Sequence, residues 1–169
     1  MKIRRSASGF TLIELILVIV LLSIVSLFAA SRFIGKSSFS AYALQDQVIS
    51  VIRQVQLNRM QSNLTDPDDI IDMDGNFRLR VEESCIGSVA ACALSEDERA
   101  SRSDVVADDY VAFSVTNSPV PGYIDFDLLG NPTGLNSGNI SIWIEDKSGN
   151  SRCEVLINSQ GYVSRGDCS

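Results

Sequence analysis

Residues 10–30 read FTLIELILVIVLLSIVSLFAA, an unbroken apolar run with a single charge, Glu14. As an α-helix, 21 residues extend about 31 Å, which matches the hydrocarbon thickness of a bilayer, so a membrane span is expected. Lys2, Arg4 and Arg5 precede the run. Cations beside a span stay cytoplasmic, which predicts a single pass with the N-terminus inside and the rest of the chain across the membrane. A cleaved export signal ending near Ala29, Ala30 and Ser31 is the competing reading, and an uncleaved signal anchor is another. Against the first, the run exceeds the usual signal core of about 7–15 residues, and an acid at its very start is costly in lipid and serves no export purpose.

The 169 residues suffice for one globular head plus this segment, not for two separate cores. The hydrophobic fraction of 45% looks ordinary, but the average conceals the concentration of apolar residues at the start. The formal charge is −7, and losing the first nine residues with Lys2, Arg4 and Arg5 would lower it by three more units. Such an acidic chain disfavours nucleic acid as a partner, because binding depends on neutralising phosphates with Lys and Arg. All four cysteines, Cys85, Cys92, Cys153 and Cys168, fall on the oxidising side of the expected span. They permit three pairings; proximity in sequence favours Cys85 with Cys92 and Cys153 with Cys168. Zinc fits poorly, since there is no histidine and the spacings lack the short ligand pairs of structural zinc sites.

Past Ala30 the pattern turns amphipathic. Ala41, Leu44, Val48, Val51 and Val55 recur every three or four residues, while Gln45, Asp46, Gln47, Arg53 and Gln54 fill other positions. No proline interrupts residues 10–63 and only Gly35 weakens the pattern, so one long helix is expected, ending before Asp66-Pro67. From Phe77 onward, short runs rich in β-branched and aromatic residues alternate with Gly, Asn and Pro. Strands are expected near 77–82, 110–116, 122–127, 140–145, 151–158 and 162–165. Turn residues at 146–150 and 158–161 make the last three an antiparallel meander whose apolar face covers the helix stripe. Ile140, Ile142 and Ile144 alternate with Ser141 and Trp143, which puts the indole on the opposite face, as a packing residue in preference to a contact. The charged stretch SEDERASRSDVVADD, 95–109, reads as a surface loop. The fold class is thus α+β: a long N-terminal helix, membrane half then amphipathic half, packed on an antiparallel head with disulfides. The organisation is a leader over 1–9, a membrane and assembly helix over 10–30, its amphipathic continuation over 31–63, and a head over 64–169.

Gly9-Phe10-Thr11-Leu12-Ile13-Glu14, behind a short basic leader and ahead of the apolar run, resembles the prepilin peptidase motif of type IV pilins and type II secretion pseudopilins. The resemblance implies cleavage after Gly9 by prepilin peptidase, N-methylation of the new terminus at Phe10, and a role for Glu14 in assembly with other pilin subunits on an inner-membrane platform. Physics supplies a reason for the last point. Residues four apart share a helix face, so Glu14 sits one turn from the Phe10 ammonium, and a buried carboxylate is tolerable only when paired; in the family that partner is a neighbouring subunit's terminal amine. The alternative is a Glu that snorkels to the lipid interface. Roughly the last sixty residues resemble the heads of the pseudopilin H and fimbrial minor-pilin subfamily. The whole pattern most resembles minor subunits of the mannose-sensitive haemagglutinin type of pilus.

Other chemistry finds little support. Without histidine no Ser-His or Cys-His arrangement can form, the glycines make no phosphate cradle, and no enzyme or cofactor is expected. Asp72, Asp74, Asn76 and Glu83 superficially resemble a calcium loop, but Phe77 stands at the sixth position where glycine belongs. Arg78, Arg80, Arg152 and Arg165 could form a DNA patch of the kind in minor pilins that resemble DNA-uptake receptors, yet Tyr162 follows Gly161 where those carry arginine. The tripeptide Arg165-Gly166-Asp167 is too short to be informative. The function implied is a minor pilin of adhesion or assembly initiation; the rivals are a minor pseudopilin of protein secretion and a DNA-uptake pilin.

Overall fold

The computed structural model describes residues 11–34, 40–62, 64, 75–116, 122–134 and 138–169, with side chains described over 11–26 and, within those ranges, from 41 onward. It divides into two compact units, Met1–Lys36 and Ser37–Ser169. The first contains helix α1, Leu12–Ile34. The second opens with helix α2, Ser40–Gln61, which ends before Asp66-Pro67 as expected. The junction at 35–39, including Gly35, lies outside the described residues.

Helix α2 has no Gly or Pro and buries one face. Ala41, Leu44, Val48, Val51 and Val55 are buried as the stripe requires, joined by Ile49 and Ile52. Each fully buried Val or Ile contributes about 1.5–3 kcal/mol relative to exposure. The polar assignment needs one correction, since Gln45 lies in this face and is buried, as are Gln56 and Arg59. All three donate to carbonyls of the head, and Arg59 Nη1 also donates to Ser62 Oγ and Leu64 C=O at the end of the helix. Gln45 Nε2 donates to Glu154 and Gly166, 2.8 and 3.2 Å. Gln56 Nε2 donates to Gly130 and Gly161, 3.0 and 2.8 Å. Arg59 Nε donates to Phe126, 3.0 Å. A buried amide or guanidinium is tolerable because it is bonded in this way.

The head is built from two antiparallel sheets. One has β1 (Leu79–Glu82), β2 (Cys85–Ser88), β3 (Val105–Ala107), β5 (Gly122–Phe126) and β6 (Pro132–Thr133) in the order β3-β2-β1-β5-β6. The other has β4 (Val111–Val115), β7 (Ile140–Asp146), β8 (Arg152–Ile157) and β9 (Val163–Cys168) in the order β4-β7-β8-β9. Phe113 N–H donates to Glu83 C=O, 2.9 Å, linking the sheets where β4 passes the β1–β2 turn. Helix α2 packs against β2 and β3 of one and β7, β8 and β9 of the other, so the core is a single layer between helix and strands, with Phe113, Phe126, Ile142 and Ile144 at its centre. The α+β class, the antiparallel head and the meander β7-β8-β9 stand as read from the sequence.

Three turns share one design. Asp127, Asp146 and Asn158 each accept, through a side-chain oxygen, the N–H two residues on, at 2.8, 3.0 and 2.9 Å, and a glycine three residues on takes positive φ. Asx side chains substitute for backbone in such turns and glycine carries the left-handed residue without strain. The Asp127 turn, between β5 and β6, was not anticipated.

The stretch at 95–109 differs from the expected loop. It holds the short helix α4 (Glu96–Arg99) and strand β3, and it follows α3 (Val89–Cys92), capped when Ser88 Oγ accepts Ala91 N–H at 3.1 Å. Asp104 is buried: its carboxylate accepts from Ser88 Oγ at 2.6 Å and from Arg102 Nε and Nη2, both 2.7 Å. Hydrogen bonds to a distant serine, not local pattern, fold this segment back on β2. Both expected disulfides are present, Cys85–Cys92 and Cys153–Cys168, with Cα atoms 6.1 and 4.1 Å apart.

Candidate functional site: the N-terminal helix and its motif

The helix α1 starts with a cap that the sequence carries in plain form. Thr11 Oγ1 accepts Glu14 N–H, 3.3 Å, and Thr11 C=O accepts Leu15 N–H, 3.2 Å. Threonine followed three residues later by glutamate is the capping-box pattern, and an acid in the first turn is stabilised by the helix dipole. Sequence reading missed this role for Thr11. It gives Glu14 a reason to begin the helix, independent of any role between subunits.

Beyond the cap, every large apolar side chain from Leu12 to Val25 is exposed, on all faces of the helix, with Leu12 at 76% and Val25 at 61%. Globular helices bury such residues along one stripe; a helix apolar all round belongs inside a core or a membrane. The two hydroxyls among its described side chains are satisfied internally. Ser23 Oγ donates to Ile19 C=O and Ser26 Oγ to Leu22 C=O, both 2.7 Å, so neither needs water. Among the described residues, no helix is long and apolar enough to cross a membrane. The expected span starts at Phe10 and runs to Ala30, past both ends of the segment whose side chains are described.

Of the expected site residues, Gly9 and Phe10 lie outside the described residues, and Glu14 is exposed at the third position of α1. The cysteines belong to the second unit, where Cys85, Cys92 and Cys153 are buried. The four arginines considered for nucleic acid are already engaged within the head. Arg78 pairs with Asp125 and stacks on Tyr123, and Arg80 pairs with Glu82. Arg152 stacks on Trp143 at 3.8 Å, and Arg165 forms a fork with both oxygens of Asp46, 2.8 and 2.6 Å. Trp143, half-buried on the face away from Ile142 and Ile144, donates through Nε1 to Thr116 Oγ1 at 2.9 Å. Asp72 and Asp74 of the calcium pattern lie outside the described residues, while Asn76 Oδ1 accepts from Arg102 at 2.7 Å. Among the described residues, no group of three or more His, Cys, Asp or Glu is placed to hold a metal ion.

Neither a curated protein nor a solved structure matches the chain. A family model matches the chain at its start and covers Arg4 and Arg5 of the leader, the Gly9-Phe10 junction, Glu14 and the apolar run together. Over residues 4–30 the chain carries the prokaryotic N-terminal methylation motif.

Proposed function

We propose that the chain is a minor structural subunit of a type IV pilus-like filament, with no catalytic role. The observation that supports it best is the coincidence of the methylation motif at 4–30 with a helix whose apolar side chains, from Leu12 to Val25, are exposed on every face. Prepilin peptidase cuts after Gly9, and the amino group of Phe10 is then methylated. Until assembly, residues 10–30 hold the subunit in the inner membrane as a single pass, N-terminus inside. The same surface then packs against other pilin helices as the subunit leaves lipid for the filament. Glu14, charged and one turn from the new terminus, pairs with the terminal ammonium of a neighbour during that transfer. The head, held by two disulfides, stands outside in the oxidising compartment, where it serves assembly initiation or adhesion in a pilus of the mannose-sensitive haemagglutinin type.

The test is intact mass and N-terminal sequencing of the protein recovered from membranes and from sheared filaments, with and without prepilin peptidase. The expected product begins at methylated Phe10, appears in the sheared fraction, and is absent without the peptidase. A full-length chain, or one cut near Ser31, overturns the proposal. A processed chain found only with a secretion apparatus moves it to the pseudopilins.

A further inference from the structure

A sheet edge carries unpaired backbone groups and natural proteins close such edges. Among the described residues, three of the four sheet edges in this head have at least one outward backbone group engaged or removed. Strand β6 is two residues long and begins with Pro132, which has no N–H. Strand β9 has its carbonyls at Val163 and Gly166 taken by Arg53 and Gln45 of α2. Strand β4 donates Phe113 N–H to Glu83. The fourth edge is β3.

Ser88 N–H donates to Asp104 C=O, 3.0 Å, so Asp104 turns its backbone toward β2. Bonded and open pairs alternate along an antiparallel ladder. Val106, opposite Ile86, therefore bonds to β2, whereas Val105 and Ala107, opposite Gly87 and Cys85, point their N–H and C=O groups outward. Among the described residues those outward groups have no hydrogen-bond partner. They open onto a cavity of about 500 Å³, walled by Leu44 and Gln47 of α2 and by Glu96 and Arg99 of α4. A second cavity of about 300 Å³ shares Glu96, Arg99, Ala107 and Asp108 and adds Asp109, so the cleft continues past the strand end. Its rim is net negative, since Arg102 is held by Asp104 and Arg99 remains against three carboxylates.

We propose that β3 is a docking edge for a short extended segment of another protein, carrying Lys or Arg, which joins the sheet as a further strand. The backbone of that segment would pair with Val105 and Ala107, and its cations would face Glu96, Asp108 and Asp109; addition of this kind takes affinity from main-chain bonds and specificity from the side chains. A second copy of this chain does not fit the role. Of its own alternations of cation and apolar residue, Arg78 to Val81 runs into β1, an interior strand of this sheet, and Lys2-Ile3-Arg4 lies in the leader that the proposed function removes.

The probe is the peptide acetyl-Val-Lys-Val-Lys-Val-amide, titrated into the full chain in non-ionic detergent, with amide hydrogen exchange read at single residues. Saturation should slow exchange at Val105 and Ala107 about tenfold or more and leave Val106 unchanged. N-methylating the peptide's edge-facing amides, or replacing its lysines by glutamate, should each weaken binding about tenfold. Ala107→Pro removes one outward N–H without touching the β2 ladder and should weaken the parent peptide to a similar degree at unchanged melting temperature. Lack of binding at millimolar peptide, unchanged exchange at Val105 and Ala107, or equal binding by the N-methylated peptide overturns the proposal, even if Ala107→Pro fails to fold.

Discussion

Gly161 occupies a place that no other residue could fill cheaply. Its φ is +76°, and a Cβ built there would overlap the carbonyl oxygen of Gly130, the same oxygen that Gln56 binds. Gly161→Ala therefore combines left-handed strain with a backbone clash, each costing about 1–3 kcal/mol, and should lower stability by at least ~2 kcal/mol in urea titration; a loss below ~0.5 kcal/mol would contradict the close approach of the two turns. Asp104 sets a pH dependence. Burial alone would push its carboxyl up, but the bonds it accepts from Arg102 and Ser88, with the charge of Arg102, hold it below the ordinary carboxylate range. A carboxyl that titrates lower folded than unfolded stabilises fully above the unfolded value of about 3.9 and loses that contribution as pH falls through the folded value. Asp104→Asn should thus melt below the parent at pH 7, with the gap closing as pH drops under about 4. A gap independent of pH would assign the effect to packing.

At the scale of elements, β9 is held twice. The Cys153–Cys168 bridge closes its far end, and Gln45 and Arg53 bind its carbonyls from α2. Replacing both cysteines by alanine should cost about 3 kcal/mol by the chain-entropy estimate yet leave the strand paired, so thermal unfolding should remain cooperative with a lower midpoint. Loss of cooperativity would mean that the bridge alone holds the strand. The elements that were legible in the sequence are those with a period: the α2 stripe, and β7, whose Ile-x-Ile-x-Ile alternation predicted both its burial and the outward Trp143. Strands β2, β3 and β6 were not, because two to four residues cannot display a period and Pro132 argues against a strand outright. Buried Gln45 and Gln56 were hidden for another reason. Their amides lie in stripe register, but their partners are carbonyls more than seventy residues away that no local pattern reveals. The Thr11-Glu14 cap is legible in the sequence as Thr-x-x-Glu ahead of an apolar run.

For the whole molecule, the division at Lys36 separates two units of different character. The first unit exposes apolar side chains from Leu12 to Val25 on every face of its helix; the second has its own core and both disulfides. A fragment spanning Ser37–Ser169 should then fold in an oxidising compartment and run as a soluble monomer in size-exclusion chromatography, whereas the full chain should require detergent. Aggregation of the fragment would show that the head needs the first unit to cover it. Within the head, Arg152 and Ser169 exchange backbone hydrogen bonds at 2.8 and 2.9 Å, one step beyond the Cys153–Cys168 pair. Residue 169 is therefore held in register with the sheet. A nitroxide or fluorophore attached there would tumble with the body that carries it, and its spectrum would report the orientation of a single subunit inside a larger array.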